Sequence, residues 1–121
     1  MTNQKQLAVL IGKGLQADNI QESENCFFED ILGRYYVCAL GAGLIGKFGS
    51  AAEAYKRMET ERELHVELST KDLTLSPDYV DIAANLLEID FDLANAIDKT
   101  HMLGVPATAI VSRLEEGSFP Y

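Results

Sequence analysis

Gly41-Ala42-Gly43-Leu44-Ile45-Gly46 matches G-x-G-x-x-G, the spacing in this sequence that comes nearest to a recognisable chemistry. In a dinucleotide-binding unit the first glycine allows a tight turn and the second lets backbone approach a pyrophosphate. The third lets the following helix pack closely, with the phosphate resting on that helix's N-terminus. The run Tyr35 to Leu40 can supply the preceding strand, and Glu67 follows at the distance of a ribose-binding carboxylate. Against this, the sequence beyond Glu67 holds three capped helical segments and no convincing strand, so a doubly wound sheet is not provided for. Phe48-Gly49-Ser50 also interrupts the helix that should run on from the glycines. Small residues at 39, 41, 42, 43 and 46 suit a buried segment onto which neighbours pack. Close packing is therefore the expectation. A nucleotide held by Gly41, Gly43, Gly46 and Glu67 is the alternative, and no cofactor is expected otherwise.

Other reactive residue types lack the neighbours their chemistry needs. Glu63, His65 and Glu67 would line one side of a strand, and Asp98 and His101 are three apart on a helix, but neither set has an established metal-ligand spacing. No metal site is expected. Cys26 or Cys38 would need an electropositive partner to become a nucleophile, yet His65 and His101 both lie in acidic stretches. Both thiols read as free and structural, and no catalytic residue is assigned. The pairs Asp90 with Asp92 and Glu115 with Glu116 read as helix ends and surface.

The elements that must carry these residues are mostly helical. Leu7, Leu10, Ile11 and Leu15 recur at helical spacing behind Asn3 and Gln6, predicting a helix over 4–17. Cys26-Phe27-Phe28 and Tyr35-Tyr36-Val37 flank a turn containing Gly33, predicting a small hairpin or extended loop over 26–37. A three-residue turn at Ile31-Leu32-Gly33 would set Cys26 opposite Cys38, whereas a two-residue turn at Leu32-Gly33 would offset them. Residues 38–47 must be buried, whether as helix or as strand and turn. Ser50-Ala51-Ala52-Glu53 is a capping box opening a helix over 51–61, and the alternation of Leu64, Val66 and Leu68 predicts a short strand over 63–68. Ser76, Pro77 and Asp78, with Leu75 and Val80 as a staple, start a helix over 77–88. Asp90 caps another that stops near Gly104, and Pro106 opens a last one before Gly117. The tail 118–121 is expected to fray.

The fold class expected is mainly α, at the margin of α+β: one compact helical bundle over residues 1–121 with a small β element in its first half. With 47% apolar and 24% charged residues, the composition is that of a chain with a packed core. The start of the sequence lacks a signal-peptide pattern and no apolar run is long enough to span a membrane, so a cytoplasmic protein is expected. Residues 1–57 carry six acidic and six basic side chains, while 58–121 carry thirteen and four, so the whole net charge of -9 lies in the second half. That balance argues against nucleic acid and anionic membrane as partners, and makes any partner drawn by charge a basic one. Self-association through an apolar patch stays open.

Cys38-Ala39-Leu40-Gly41-Ala42 after an aromatic turn, followed by a helical tail with Leu93, Ile97, His101, Gly104, Ile110 and Leu114, resembles a group of short bacterial and phage-type proteins of uncharacterised function. The resemblance spans 26–47 and 77–116 in pattern and implies that 38–47 is helical and structural. It carries over no functional residue. The function expected is that of a non-catalytic accessory or regulatory protein working through protein–protein contact.

Overall fold

The computed structural model describes residues 1–24, 27–68 and 79–121, with the main chain alone at 65–68. Among these residues there are six helices and one three-stranded sheet. The chain is mainly α with a small β element in its first half.

Helix α1 (Gln4–Leu15) starts where the sequence says it should. The Asn3 side chain accepts from the Gln6 amide at 2.8 Å, and the Asn3 amide donates to the Gln6 side chain at 2.9 Å, closing a capping box. Its Leu7, Ala8, Ile11 and Gly14 face the core. Three strands follow: β1 (Ile20–Glu22), β2 (Phe28–Ile31) and β3 (Arg34–Val37). β3 is central, with β1 parallel on one side (Ile20 opposite Tyr35) and β2 antiparallel on the other (Phe28 opposite Val37). β1 is not foreseen by the sequence, because Ile-Gln-Glu is too short to show alternation; the edge of β3 recruits it.

The β2–β3 turn is the two-residue Leu32-Gly33, with both residues in the left-handed region at φ 52 and 84. That mirror-image turn matches the strand twist. It places Ile31 opposite Arg34 and carries the pairing on to Phe27, whose carbonyl accepts from the Cys38 amide at 3.1 Å. This is the register of the two-residue turn. Cys38 is free and buried; Cys26 lies outside the described residues.

Helix α2 (Ala39–Phe48) resolves the open choice at 38–47 in favour of helix, with Ala39 through Ile45 all buried. It ends at Gly49, φ 92. Helix α3 (Ala51–Leu68) begins with the Ser50 hydroxyl accepting from the Glu53 amide at 3.2 Å. The strand predicted over 63–68 is corrected: α3 runs straight through it. No glycine or proline breaks 51–68, and Glu53–Arg57 and Glu59–Arg62 pairs support the helix along its length. The alternation of Leu64, Val66 and Leu68 is outweighed by helix propagation from a strong cap.

Helices α4 (Tyr79–Leu87), α5 (Phe91–Met102) and α6 (Ala107–Glu115) complete the bundle. The predicted Ser76-Pro77 start of α4 lies outside the described residues. Asp90 and Pro106 occupy the cap positions of α5 and α6 without a side-chain cap bond, and Gly104 and Gly117 take the left-handed conformation just beyond the two helix ends. Ile82, Leu87, Ile97, Ile110 and Leu114 from these helices join Leu7, Ile11, Leu40 and Leu44 in one core. The tail meets the body of the fold through Phe119. Its ring is buried, and its backbone pairs with the Gln4 side chain through two hydrogen bonds of 3.0 and 3.1 Å.

Candidate functional site

All three glycines of the G-x-G-x-x-G run lie inside α2, which begins two residues before the first of them. None forms a turn between a strand and a helix. A Cβ at Gly46 would stand 1.8 Å from the carbonyl oxygen of Leu10, and one at Gly14 would stand 1.7 Å from that of Ala42. A Cβ at Gly41 would come within 2.6 Å of the Phe27 carbonyl oxygen, while Gly43 leaves ordinary contact space toward Ile11 and Leu87. Gly14 against Ala42 and Gly46 against Leu10 are thus two close backbone contacts, four residues apart on each of two antiparallel helices. The motif is occupied by protein. Glu67, proposed as its distant ribose ligand, belongs to α3 rather than to a second strand.

The other candidates are likewise redistributed. Glu63, His65 and Glu67 lie on a helix, where alternate residues diverge instead of aligning. No group of three metal-ligating side chains occurs among the described residues. At Cys38 a helix N-terminus would ordinarily favour the thiolate. Here burial dominates, and the Asp98 charge adds to it, outweighing the amides of Gly41 and Leu40 and pushing the thiol from 9.0 to about 12. It is an inert thiol.

His101 is buried, and its Nε2 stands 2.9 Å from Glu22 Oε2, which also accepts from the Ala107 amide at 3.3 Å. A carboxylate can only accept, so Nε2 carries the proton. The other ring nitrogen has no hydrogen-bond partner among the described residues. This joint ties the end of β1 to the α5–α6 corner and caps α6. Residues 79 positions apart make it, so no sequence spacing foretold it.

An open groove of about 530 Å³ lies where the first residues meet the tail, between Met1, Asn3, Asp90, Leu93 and Tyr121. Two of its polar side chains are engaged within the fold, Asn3 in the α1 cap and Gln4 with Phe119, while Lys5 and Asp90 bring opposite charges to its lining.

The hairpin tip is different. Leu32 is fully exposed and Ile31 is 46% exposed, with Glu29 and Asp30 beside them also exposed. Behind the tip, Phe28, Tyr35 and Tyr55 form a triangle of rings with centroids 5.5 to 5.9 Å apart. Phe28 is buried beneath, leaving Tyr35 and Tyr55 half-buried as a shelf. The Tyr55 phenol is held above its ordinary value by desolvation first, then by the charges of Glu59, Asp30 and Glu29 acting against Arg62.

Compared with protein-family models, with curated proteins and with solved structures, the chain matches none.

No helix among the described residues is long and apolar enough to cross a membrane. The hairpin tip, with its aromatic shelf, sets exposed apolar side chains beside carboxylates and half-buried rings.

Proposed function

We propose that this chain is a non-catalytic protein-recognition module, accessory or regulatory in role, whose contact element is the tip of the β2–β3 hairpin. One observation carries the reading. Leu32 holds a left-handed backbone with its side chain wholly in solvent. A bulky residue in that region costs roughly 1–2 kcal/mol, and Asn or Gly would serve the turn better. An exposed leucine recovers none of this through packing within the chain. Cover from another molecule would offset that strain, which is how a residue held for contact would behave. The two-residue turn also fixes the direction of that side chain, which favours recognition by a preformed contact.

A photocrosslinking residue placed at position 32, and at the exposed position 108 on α6 as a control, tests this in the cell of origin. A discrete adduct from 32 that is absent from 108 is expected. Equal labelling from both positions overturns the reading. Thermal unfolding with NAD, NADP, FAD and ATP supplies the opposing test: a rise of roughly 5 °C, the effect of about tenfold saturation on a chain of this length, would favour a nucleotide site.

A further inference from the structure

Asp30 and Tyr35 are directly opposite each other across the β2–β3 ladder, so their side chains share one face of the sheet with Phe28. Tyr55 reaches that face from α3, its ring 5.8 Å from Tyr35 and 5.5 Å from Phe28. Glu59 stands one helical turn beyond Tyr55 on α3. Two aromatic rings are therefore bordered by carboxylates from two separate elements, with the apolar tip Ile31-Leu32 at their end.

We propose that this surface binds a cationic side chain of a partner protein, an arginine or lysine lying beside an apolar residue in the same segment. The inference rests on the hairpin being a recognition element and adds the chemistry of what it recognises.

Charge complementarity decides the occupant. Three carboxylates, those of Glu29, Asp30 and Glu59, act at Tyr55, against one cation, Arg62, which is already paired with Glu59 at 3.3 Å. Asp30 gives one oxygen to the Gly33 amide at 3.1 Å. Its other oxygen is on the Tyr35 face of the sheet, where an incoming guanidinium or ammonium would meet it, while Glu29, opposite Tyr36, and Arg34, opposite Ile31, belong to the other face. The faces of Tyr35 and Tyr55 carry the negative side of the ring quadrupole, which attracts a cation within about 6 Å of a centroid. An anionic or nucleic-acid partner would face repulsion from every one of these groups. An apolar neighbour of the cation would cover Leu32, the group whose exposure is otherwise unexplained.

The test uses the full chain and three capped peptides of alternating sequence: leucine with arginine, leucine with lysine, and leucine with citrulline, which keeps the arginine shape without its charge. Binding is followed by amide and aromatic NMR shifts. The arginine and lysine peptides are expected to shift Tyr35, Tyr55, Asp30 and Ile31, and the citrulline peptide to bind at least tenfold more weakly. The double variant D30N/E59Q keeps side-chain shape and the Asp30-to-Gly33 bond, so it folds. It should weaken the arginine peptide at least tenfold while leaving the citrulline peptide unchanged. Equal affinity for the three peptides, or arginine binding unaffected by D30N/E59Q, overturns the inference. If the arginine peptide is then still lost on Leu32→Asn, the hairpin stands as a recognition element and only the cationic assignment falls. Concentration-dependent dimerisation abolished by Leu32→Asn, with no peptide response, overturns it in favour of a second copy of the chain.

Discussion

Gly14 on α1 faces Ala42 on α2 so closely that a Cβ on the glycine would lie 1.7 Å from the alanine's carbonyl oxygen. The obstacle is backbone, so no side chain can turn aside to relieve it. Gly14→Ala and Gly46→Ala should each cost about 2–4 kcal/mol, because the helices must separate and the better helix propensity of alanine returns only about 1 kcal/mol. Gly12 lies on the same helix with nothing within 4 Å of its absent Cβ. Gly12→Ala should therefore stabilise by about 0.5–1 kcal/mol. Urea unfolding of the three variants checks both signs in one experiment.

Cys38 gives a pH-dependent prediction. Its thiol stays protonated in the folded chain up to about 12 but ionises near 9.0 once unfolded. A folded pKa raised in this way contributes stability that is complete below pH 9 and is lost as the pH climbs toward 12. The loss is about 1.4 kcal/mol per pH unit. The measurement is the difference between wild type and Cys38→Ala in urea unfolding from pH 8 to pH 11, which cancels the other titrating groups. Equal slopes for the two proteins would contradict the assignment. Alkylation of Cys38 at pH 8.5 should proceed only as fast as the protein opens.

Removing the Glu22 carboxylate should strand two donors, the His101 ring N–H and the Ala107 amide. Each unsatisfied buried donor costs about 1–3 kcal/mol, so Glu22→Ala is expected to destabilise by roughly 2–4 kcal/mol. Glu22→Gln retains an acceptor oxygen and should cost about 1 kcal/mol or less. Chemical denaturation of the pair, with hydrogen exchange at Ala107 as the local reporter, distinguishes the lost bond from a general loosening.

Leu32→Asn should raise stability by about 1 kcal/mol, since asparagine tolerates the left-handed region that leucine occupies under strain. The same substitution should remove the position-32 contact with a partner. A variant that folds better and binds worse would mark Leu32 as selected for contact. Lower stability in Leu32→Asn would mean that the leucine contributes to the fold and would weaken the proposed function.

Local signals were readable wherever one short segment determines the outcome. The Asn3–Gln6 and Ser50–Glu53 caps, the buried stretch at 38–47 and the left-handed glycines at 33, 104 and 117 depend on neighbours within a few residues. The three-residue strand β1 depends on a partner fifteen positions away, and the end of α3 imitated a strand because three apolar residues alternate there. The candidate site was less legible. Asp30, Tyr35 and Tyr55 meet only after α3 packs on the hairpin, and Glu22 meets His101 only after the whole bundle closes. The glycine spacing pointed to a phosphate because pyrophosphate and a neighbouring helix backbone make the same demand, which is that no Cβ stand in the way.

All three strands lie within the connection from α1 to α2, and those two helices meet backbone to backbone. The sheet is thus carried on a loop whose two ends are held together by the backbone contact of Gly14 with Ala42 and of Gly46 with Leu10, so that contact supports the sheet. Residues 4–24 and 27–48 should open in hydrogen exchange as a single cooperative unit. A partner that takes hold of Leu32 would be gripping a lever fixed in the core, so the energy of binding would bear on the stability of the whole first half of the chain.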